Sequence, residues 1–582
     1  MGGMGRLKGY VWRYWRHYFL GALCLLGTAT LVMWIPWWIR ESVRIIEQGG
    51  PIEDVTFYVV AIIVAAVAQG IIRTLSRALI FNAGRDIEYD LRNDLFAHLQ
   101  KLPLAYYHSQ RTGDLMSRVI NDLSSVRALL GPGILNLINA PLYYLYALVL
   151  MLSIDVRMTL AAMLPYPILI WAVRNFREKV LYSSRRVQEE MARLSSHVQE
   201  NLSGMHVVKA YAQEQNQIGQ FVRLNEDYQK ENMELARLRG RIEPFMKGIS
   251  GFTILIVISY GGIRVIQGNL MIADLVAFIA YLNVLAWPTA AFGWMLSLIE
   301  RGRASMERLE EILKVEPEIA SPSAPLPIRA SEESLEFRNV YFAYDKKANG
   351  QAVLKNINFK LPKGHTLAVV GRTGSGKTTL VQLLPRLYDA SSGEIRFGGR
   401  DICRLPLSEL RRIFGYVPQD PFLFSTSLRR NLAFGRDGVS DEEIESAIRL
   451  TRLYRDIEIF PQGPDTIVGE RGITLSGGQK QRATLARALL LNPPVLVLDD
   501  CLSSVDAETE DQILRGLKTI LKEKTSIIVS HRISAVKDAD EILVLDEGEV
   551  VEKGTHQGLL NKGGVYADLF REQQLSEELD RI

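Results

Sequence analysis

Three short runs in the second half of the chain carry side chains whose types and spacing suit phosphate chemistry. GRTGSGKT, Gly371 to Thr378, has glycines at 371, 374 and 376, where a backbone must wrap closely around phosphate oxygens. Lys377 is spaced to reach β and γ phosphates and Thr378 to ligate magnesium, with Thr373, Ser375 and Thr379 completing the loop. Asp499 ends the apolar run VLVL, where a carboxylate would partner that magnesium; alone, such an aspartate would more often be a turn residue. Between them lies LSGGQ, Leu475 to Gln479. The ligands implied are ATP and Mg2+.

The elements that must position these residues are legible around them. TLAVV, Thr366 to Val370, is an apolar strand running into the loop, and LVQLLPRLY after it reads as a helix. Strand, loop and helix in that order are the context the phosphate pattern requires, because the phosphates then face the positive end of the helix. LEFRNVYFAY, from Leu335, alternates like a half-buried strand. The expectation is an α/β P-loop nucleotide-binding domain over 333–582, preceded by a linker at 316–332 whose proline-rich Glu316 to Ile328 reads as exposed.

The first half is a different material. The chain has 582 residues, 48% hydrophobic and 23% charged, a blend of lipid-soluble and water-soluble parts. Six stretches approach the ~20 apolar residues that cross a ~30 Å hydrocarbon core: Phe19 to Ile39, Val55 to Ile72, Leu129 to Leu152, Met158 to Val173, Ile249 to Ile266 and Met271 to Ile299. They lack the polar face of a soluble helix, so an all-α six-helix transmembrane domain is expected over 1–315. The fourth is short and carries Pro165 and Pro167. The first is too long for a signal-peptide core and lacks a small-residue cleavage pattern.

Arg6, Lys8, Arg13 and Arg16 before the first span place the N-terminus, and hence the ATPase half, in the cytoplasm of a cell whose inner membrane holds the chain. The aromatic-basic run from Tyr10 to Arg16 suits a helix at headgroup level, among membrane lipids. The connections Asn82 to Arg127 and Asn175 to Pro244 are too long for structureless loops and read as helical stalks, interrupted at SQRTGD (Ser109 to Asp114) and SGMH (Ser203 to His206), whose tips would touch the ATPase half. A net charge of +3, from 68 basic and 65 acidic residues, argues against a nucleic-acid partner. Cys24, Cys403 and Cys501 form no CxxC pair, which argues against a disulfide framework or a zinc site.

LSGGQ after a phosphate loop, behind six spanning segments, resembles the ATP-binding cassette (ABC) transporters over nearly the whole chain, and VGERG at Val468 to Gly472 resembles the exporter-type cassette. The resemblance implies a half-transporter that dimerises, with two cassettes sandwiching two ATP molecules head to tail. Ser476, Gly477, Gly478 and Gln479 of one chain would then meet the γ-phosphate held by the other. By the same resemblance Tyr344 stacks on adenine, with a plain strand-end aromatic as the alternative. Gln419 senses magnesium and the attacking water, His531 contacts the γ-phosphate, and Asp506 lies at the dimer seam. The two stalk tips match the family's coupling helices.

One residue departs from the pattern. Hydrolytic cassettes follow the strand-end aspartate with a catalytic glutamate, and here the pair is Asp499-Asp500. A carboxylate one methylene short implies a site that binds ATP and hydrolyses it slowly or not at all; the alternative is an aspartate working through adjusted geometry. The run DDCLSSVD resembles the degenerate subunits of heterodimeric bacterial multidrug exporters, whose intact LSGGQ completes the partner's site. The expected partner is a homologous half-transporter carrying the glutamate. A homodimeric lipid or peptide exporter, or an ATP-gated channel or regulator, remain the alternatives. Trp34, Tyr143, Trp171, Tyr281, Trp294, Asn136 and Asn139 in the spans favour an amphipathic small molecule, lipid or peptide as substrate. Arg73 and Arg77 either line a cavity or snorkel to the interface, and snorkelling is the preferred reading.

Overall fold

The computed structural model of the chain describes residues 3–328, 334–344, 352–469 and 475–579. They form two units, one of Met1–His98 with Gly113–Lys314 and one of Leu99–Thr112 with Val315–Ile582.

The first unit is wholly helical. Among the described residues, five of its helical stretches are long and apolar enough to cross a membrane: Trp15–Glu47, Ile52–Leu99, Thr112–Ile154, Lys247–Ile266 and Ile272–Leu313. The fourth expected span, Met158 to Val173, is not among them. A short helix, Val156–Met163, is capped by Asp155, which accepts from Met158 N at 2.7 Å. The helix restarts at Tyr166 and runs to Ser203. Pro167 falls in its first turn, where a missing N–H costs nothing, and Leu164 and Pro165 keep right-handed helical angles, so the prolines interrupt the hydrogen-bond ladder while the backbone stays helical. The Ile52–Leu99, Tyr166–Ser203, Glu214–Ile266 and Ile272–Leu313 helices run on beyond their apolar parts, as the stalk reading required.

The spans pack closely where side chains vanish. A Cβ on Gly302 would lie 2.5 Å from that of Leu129, so only glycine allows this approach. Further out, Asp122 accepts from Ser305 Oγ at 2.8 Å and Arg308 Nε at 2.9 Å, fastening the stalks by a charge-assisted network. The N-terminal helix Gly3–Arg13 is tied to the stalks, with Arg13 on Asp90 at 2.8 Å and Arg6 on Glu310 at 3.4 Å, while Trp12 and Trp15 stay exposed.

Both stalk interruptions exist. The first chain reversal starts earlier than SQRTGD: the helix ends at Leu99, a short helix spans Leu104–Ser109, and Gln110 is extended before helix resumes at Thr112. The second breaks at Gly204, makes the short helix Met205–Ala210 and restarts at Glu214.

Among the described residues of the second unit ten strands make two sheets: β1 (Leu335–Phe342), β2 (Leu354–Leu361), β3 (Thr366–Gly371), β4 (Ser392–Phe397), β5 (Arg400–Asp401), β6 (Phe414–Val417), β7 (Val495–Asp499), β8 (Thr525–Val529), β9 (Glu541–Asp546) and β10 (Glu549–Gly554). The smaller sheet has the order β2-β1-β4-β5 and the larger β10-β9-β3-β8-β7-β6. β9, β3, β8, β7 and β6 are parallel, and such strands are buried on both faces. The period of two shows this directly: Leu367, Val369, Val495, Val497, Ile527 and Val529 join the core facing the smaller sheet. Ala368, Val370, Leu496, Leu498 and Ile528 join the core beneath the helices. Strand β1 alternates as expected until Arg338–Asn339, where Asn339 takes φ 49° and the pairing register shifts.

The segment 316–328 is not a free tether. Leu326 N donates to Arg404 O at 2.9 Å, Leu407 N donates to Ser321 Oγ at 3.0 Å, and Ile319 is buried, so backbone and one side chain are held although most of its side chains are exposed.

Candidate nucleotide site

The parallel strands align their carboxyl ends: Val369 on β3 pairs with Val529 on β8, which pairs with Asp499 on β7, and Leu498 pairs with Val417 on β6. Everything that follows these ends therefore emerges on one edge, the usual ligand crevice of an open α/β sheet. The phosphate loop follows β3, Gln419 follows β6, Asp500 follows β7 and His531 follows β8.

The loop itself is built for close backbone approach. Gly371, at φ 152°, has no room for a Cβ, which would fall 2.1 Å from Leu545 O. Gly376 is left-handed, at φ 98°, and N-caps the helix Lys377–Gln382. Lys377 is buried and folds back, donating to Gly371 O at 2.9 Å and Arg372 O at 2.8 Å, which leaves one of its three donors for a ligand. Burial lowers its pKa, against the opposing pull of Asp500 and Asp499. Ser375 Oγ is buried with no hydrogen-bond partner. An orphaned hydroxyl, a free ammonium donor and a helix N-terminus converging on one loop fit a polyphosphate.

Asp499 is fully buried, accepting from Thr378 Oγ1 at 3.1 Å and Tyr416 OH at 3.2 Å. Burial pushes its pKa up to about 6, with the Thr378 and Tyr416 hydrogen bonds working the other way. Asp500 takes the left-handed conformation, φ 45°, and its N–H donates to Val529 O at 2.9 Å. Its half-exposed side chain borders a small cavity, about 20 Å³, with Ser503, Ser530 and Arg532 in the wall. Exposed His531 is kept below its ordinary pKa first by desolvation and then by Lys377, with Asp500 opposing. Tyr344 is 52% exposed, with its hydroxyl 2.9 Å from Thr379 Oγ1, and its ring meets Phe342 and Tyr388 edge-on. Gln419 and Thr373 are exposed, and Gln419 is two residues past the end of β6.

The LSGGQ residues do not join this cluster. Ser476 N-caps the helix Gly477–Leu490, accepting from Gln479 N at 3.3 Å while Gln479 Oε1 accepts from Ser476 N at 2.8 Å, a reciprocal capping box. Leu475 roots it in a separate helical core with Leu428, Ile444 and Ala483. The result is a capped helix N-terminus whose Ser476 and Gly477 are exposed. Of VGERG, residues 470–472 lie outside the described residues, whereas Val468 is buried and Gly469 has φ 99°. Asp506 N-caps the helix Ala507–Glu523 by accepting from Thr509 N at 2.9 Å, a bond that holds its carboxyl below the usual range.

Several contributors had little signal in the sequence. Gln481 donates to Ser503 Oγ at 2.9 Å and accepts from Ser504 N at 2.8 Å, and a Cβ on Gly478 would lie 2.8 Å from Ser504 O. The loop that starts at Asp500 is thus laced to the LSGGQ helix. Gln573, in the C-terminal helix Val565–Leu579, donates to His531 O and accepts from Ile533 N at 2.8 Å, holding the histidine loop from both sides. Arg532 pairs with buried Glu510. Tyr416 could have been suspected from its place just before Gln419. Gln481 and Gln573 are ordinary polar residues until the chain folds.

Residues 18–289 match the family described as ABC transporter transmembrane region and 354–503 the family described as ABC transporter. A probable multidrug resistance ABC transporter ATP-binding/permease protein, YheI of Bacillus subtilis, is 36% identical over 97% of this chain and 96% of its own. An ATP-dependent lipid A-core flippase of Syntrophus aciditrophicus is 33% identical over 96% and 93%. The structure of a bacterial Atm1-family ABC exporter with ATP bound superimposes with a TM-score of 0.79 at 28% identity, covering 96% of this chain and 98% of that one. A helical transmembrane domain followed by an ATPase domain with an ordered phosphate loop, together with these matches, places the chain in the ABC transporter family, as an ATPase coupled to membrane transport.

Proposed function

We propose that this chain is one half of an ATP-driven exporter of amphipathic or hydrophobic substrates in the inner membrane, paired with a different half-transporter. The names of its relatives, a multidrug resistance protein and a lipid flippase, support such a substrate class. In this reading Gly371, Thr373, Gly374, Ser375, Gly376, Lys377, Thr378 and Thr379 hold the phosphates and Tyr344 the adenine. Thr378, Gln419 and Asp499 would hold Mg2+, which would neutralise charge on the phosphates. Among the described residues no group of three or more His, Cys, Asp or Glu could hold a metal ion, so most of its ligands would be phosphate oxygens and water. His531 polarises the γ-phosphate, and Asp500 stands in the place of the base.

The single observation that carries the heterodimer is the contrast within one domain. Asp500 is anchored through its backbone N–H, so its carboxylate cannot make up the missing methylene by moving the chain. The LSGGQ element, Ser476 to Gln479, and the Asp506 cap are fully formed and outward-facing. Such a chain binds ATP as a clasp and completes its partner's active site with its own helix N-terminus. Purification of the tagged chain from its native membrane tests this. A second half-transporter with glutamate after its strand-end aspartate should travel with it, and glutamine in place of that glutamate should remove most turnover. Recovery of this chain alone, hydrolysing ATP briskly, would overturn the proposal in favour of a homodimer.

A further inference from the structure

The transmembrane unit contains a cavity of about 320 Å³, within the range that takes a small organic ligand. Its wall is mostly apolar, with Leu25, Leu135, Trp287 and Trp294, yet it includes Arg73 and Arg77, four residues apart and so on one face of the Ile52–Leu99 helix.

These arginines lie along the apolar part of the helix rather than at its edge. Tyr18 donates to Leu130 O, and Arg40 pairs with Asp274 at 2.5 Å, so the apolar runs that follow Tyr18, Leu130 and Asp274 are level with one another. In that register a Cβ on Gly21 would touch Ile80, and one on Gly27 would lie 4.0 Å from Ile72. Arg77 and Arg73 therefore face the first span roughly 6 and 11 Å inside its Phe19 end, at 1.5 Å of rise per residue. Arg40 and Arg264, at the other end of the spans, have carboxylate partners in Asp274 and Asp155. Among the described residues neither Arg73 nor Arg77 has one. Asn139, also in the wall, has a buried Oδ1 with no donor. Unpaired charge within the apolar belt is costly and marks a ligand path unless something else neutralises it.

We propose that this cavity selects amphiphiles with an anionic head, Arg73 and Arg77 pairing with the head while the tryptophan-lined wall takes the tail. The inference deepens the export reading and rests on it for its direction: the pair lies toward the Phe19 end of the first span, the end that the basic run Arg6 to Arg16 puts on the cytoplasmic side, where a substrate enters from the cytoplasmic leaflet. Free anionic amphiphiles and membrane lipids share this head chemistry.

The test uses the complex as purified, in discs of zwitterionic lipid at physiological salt. Dodecyl phosphate, dodecylphosphocholine and dodecyltrimethylammonium are titrated below their micelle concentrations. Binding is read from tryptophan fluorescence, with W287F/W294F as the blank. At about 1 kcal/mol for each basic side chain, dodecyl phosphate should bind about thirtyfold tighter than the phosphocholine. R73Q/R77Q should bring the ratio near one, and R73K/R77K should keep most of it. Equal binding of all three heads by the wild type would overturn the proposal without any variant, and so would a ratio that survives R73Q/R77Q. Adding long-chain phosphatidylglycerol as competitor separates the sources: displacement identifies lipid, and its absence a free amphiphile. ATP-driven uptake of labelled dodecyl phosphate into inverted vesicles is scored separately. Head-group selectivity without uptake defeats the export reading alone, and uptake without selectivity defeats this inference alone.

Discussion

Replacing Asp500 with glutamate asks whether reach alone limits this site. The Asp500 backbone is held by its N–H on Val529 O at 2.9 Å and belongs to a turn between β7 and a loop laced to the LSGGQ helix by Gln481. Its Cα is therefore fixed against β8, and the free variable is side-chain length. One methylene adds about 1.5 Å of bond. A misplacement of about 1 Å in a reacting group costs on the order of 10²-fold, or about 2.7 kcal/mol in the barrier. The cavity beside Asp500, bordered by Ser503, Ser530 and Arg532, leaves the longer side chain somewhere to go. In the proposed heterodimer, with a glutamine replacing the glutamate expected in the partner, D500E should raise phosphate release at saturating MgATP by up to about a hundredfold, while D500N stays at the wild-type level. Glutamate tolerates the left-handed conformation at 500 less well than aspartate, so melting temperature and nucleotide affinity are measured beside the rate. No gain in D500E with nucleotide affinity intact refutes the reach argument. Brisk wild-type turnover that disappears in D500N refutes the division of labour as well.

Acidification should weaken MgATP binding through Asp499, whose buried carboxyl titrates near 6. Between the ordinary carboxylate pKa and about 6 the fold holds a proton that the unfolded chain has released, so this group favours the fold at low pH, and that contribution is lost as pH rises through 6. Magnesium needs the ionised form, so calorimetric affinity for a non-hydrolysable MgATP analogue should fall between pH 7 and pH 5, with D499N removing the slope. In the D500E chain paired with the glutamine-substituted partner, where turnover reports this chain's own site, Gln573→Ala should lower it about tenfold at unchanged ATP affinity by releasing the His531 loop, with Q573E restoring less than Q573N, because a carboxylate cannot donate to His531 O. Gly478→Ala puts a Cβ 2.8 Å from Ser504 O and should abolish turnover at the partner's site, while nucleotide trapping on this chain's own phosphate loop persists. Gly302→Val forces a side chain into Leu129 and should cost about 1–3 kcal/mol of stability, read as a lower melting temperature.

Much of the ATPase half could be read from sequence because its chemistry is local: a strand, a glycine loop and a helix in immediate succession allow few arrangements. The alternation of β3, β7 and β8 between two cores follows from the same local periodicity. The membrane half was legible only as far as apolar length goes. The prolines at 165 and 167 marked a weak span, but that the ladder breaks only at Leu164–Pro165 and that helix then continues to Ser203 is not visible in a hydropathy window. The proline-rich linker carried no hint that Leu326 and Ser321 bind the ATPase unit, since backbone hydrogen bonds to distant residues leave no trace in composition. That Arg73 and Arg77 line a cavity, one of the two readings their sequence left open, was hidden for the same reason. Their depth is set by the register of neighbouring helices, not by the edge of their own apolar run.

Sequence alone therefore determined what this chain can bind and that it lies in a membrane, because phosphate cradles and apolar spans are written in contiguous residues. Only the tertiary structure decided that Tyr416 and Thr378 share Asp499, that Gln573 grips the loop of His531 from the far end of the chain, and that two arginines line a mostly apolar cavity with no carboxylate partner among the described residues. Each of these depends on groups tens to hundreds of residues apart meeting within about 3 Å, or failing to meet, and such distances are set by the packing of whole elements rather than by any residue's neighbours in the chain.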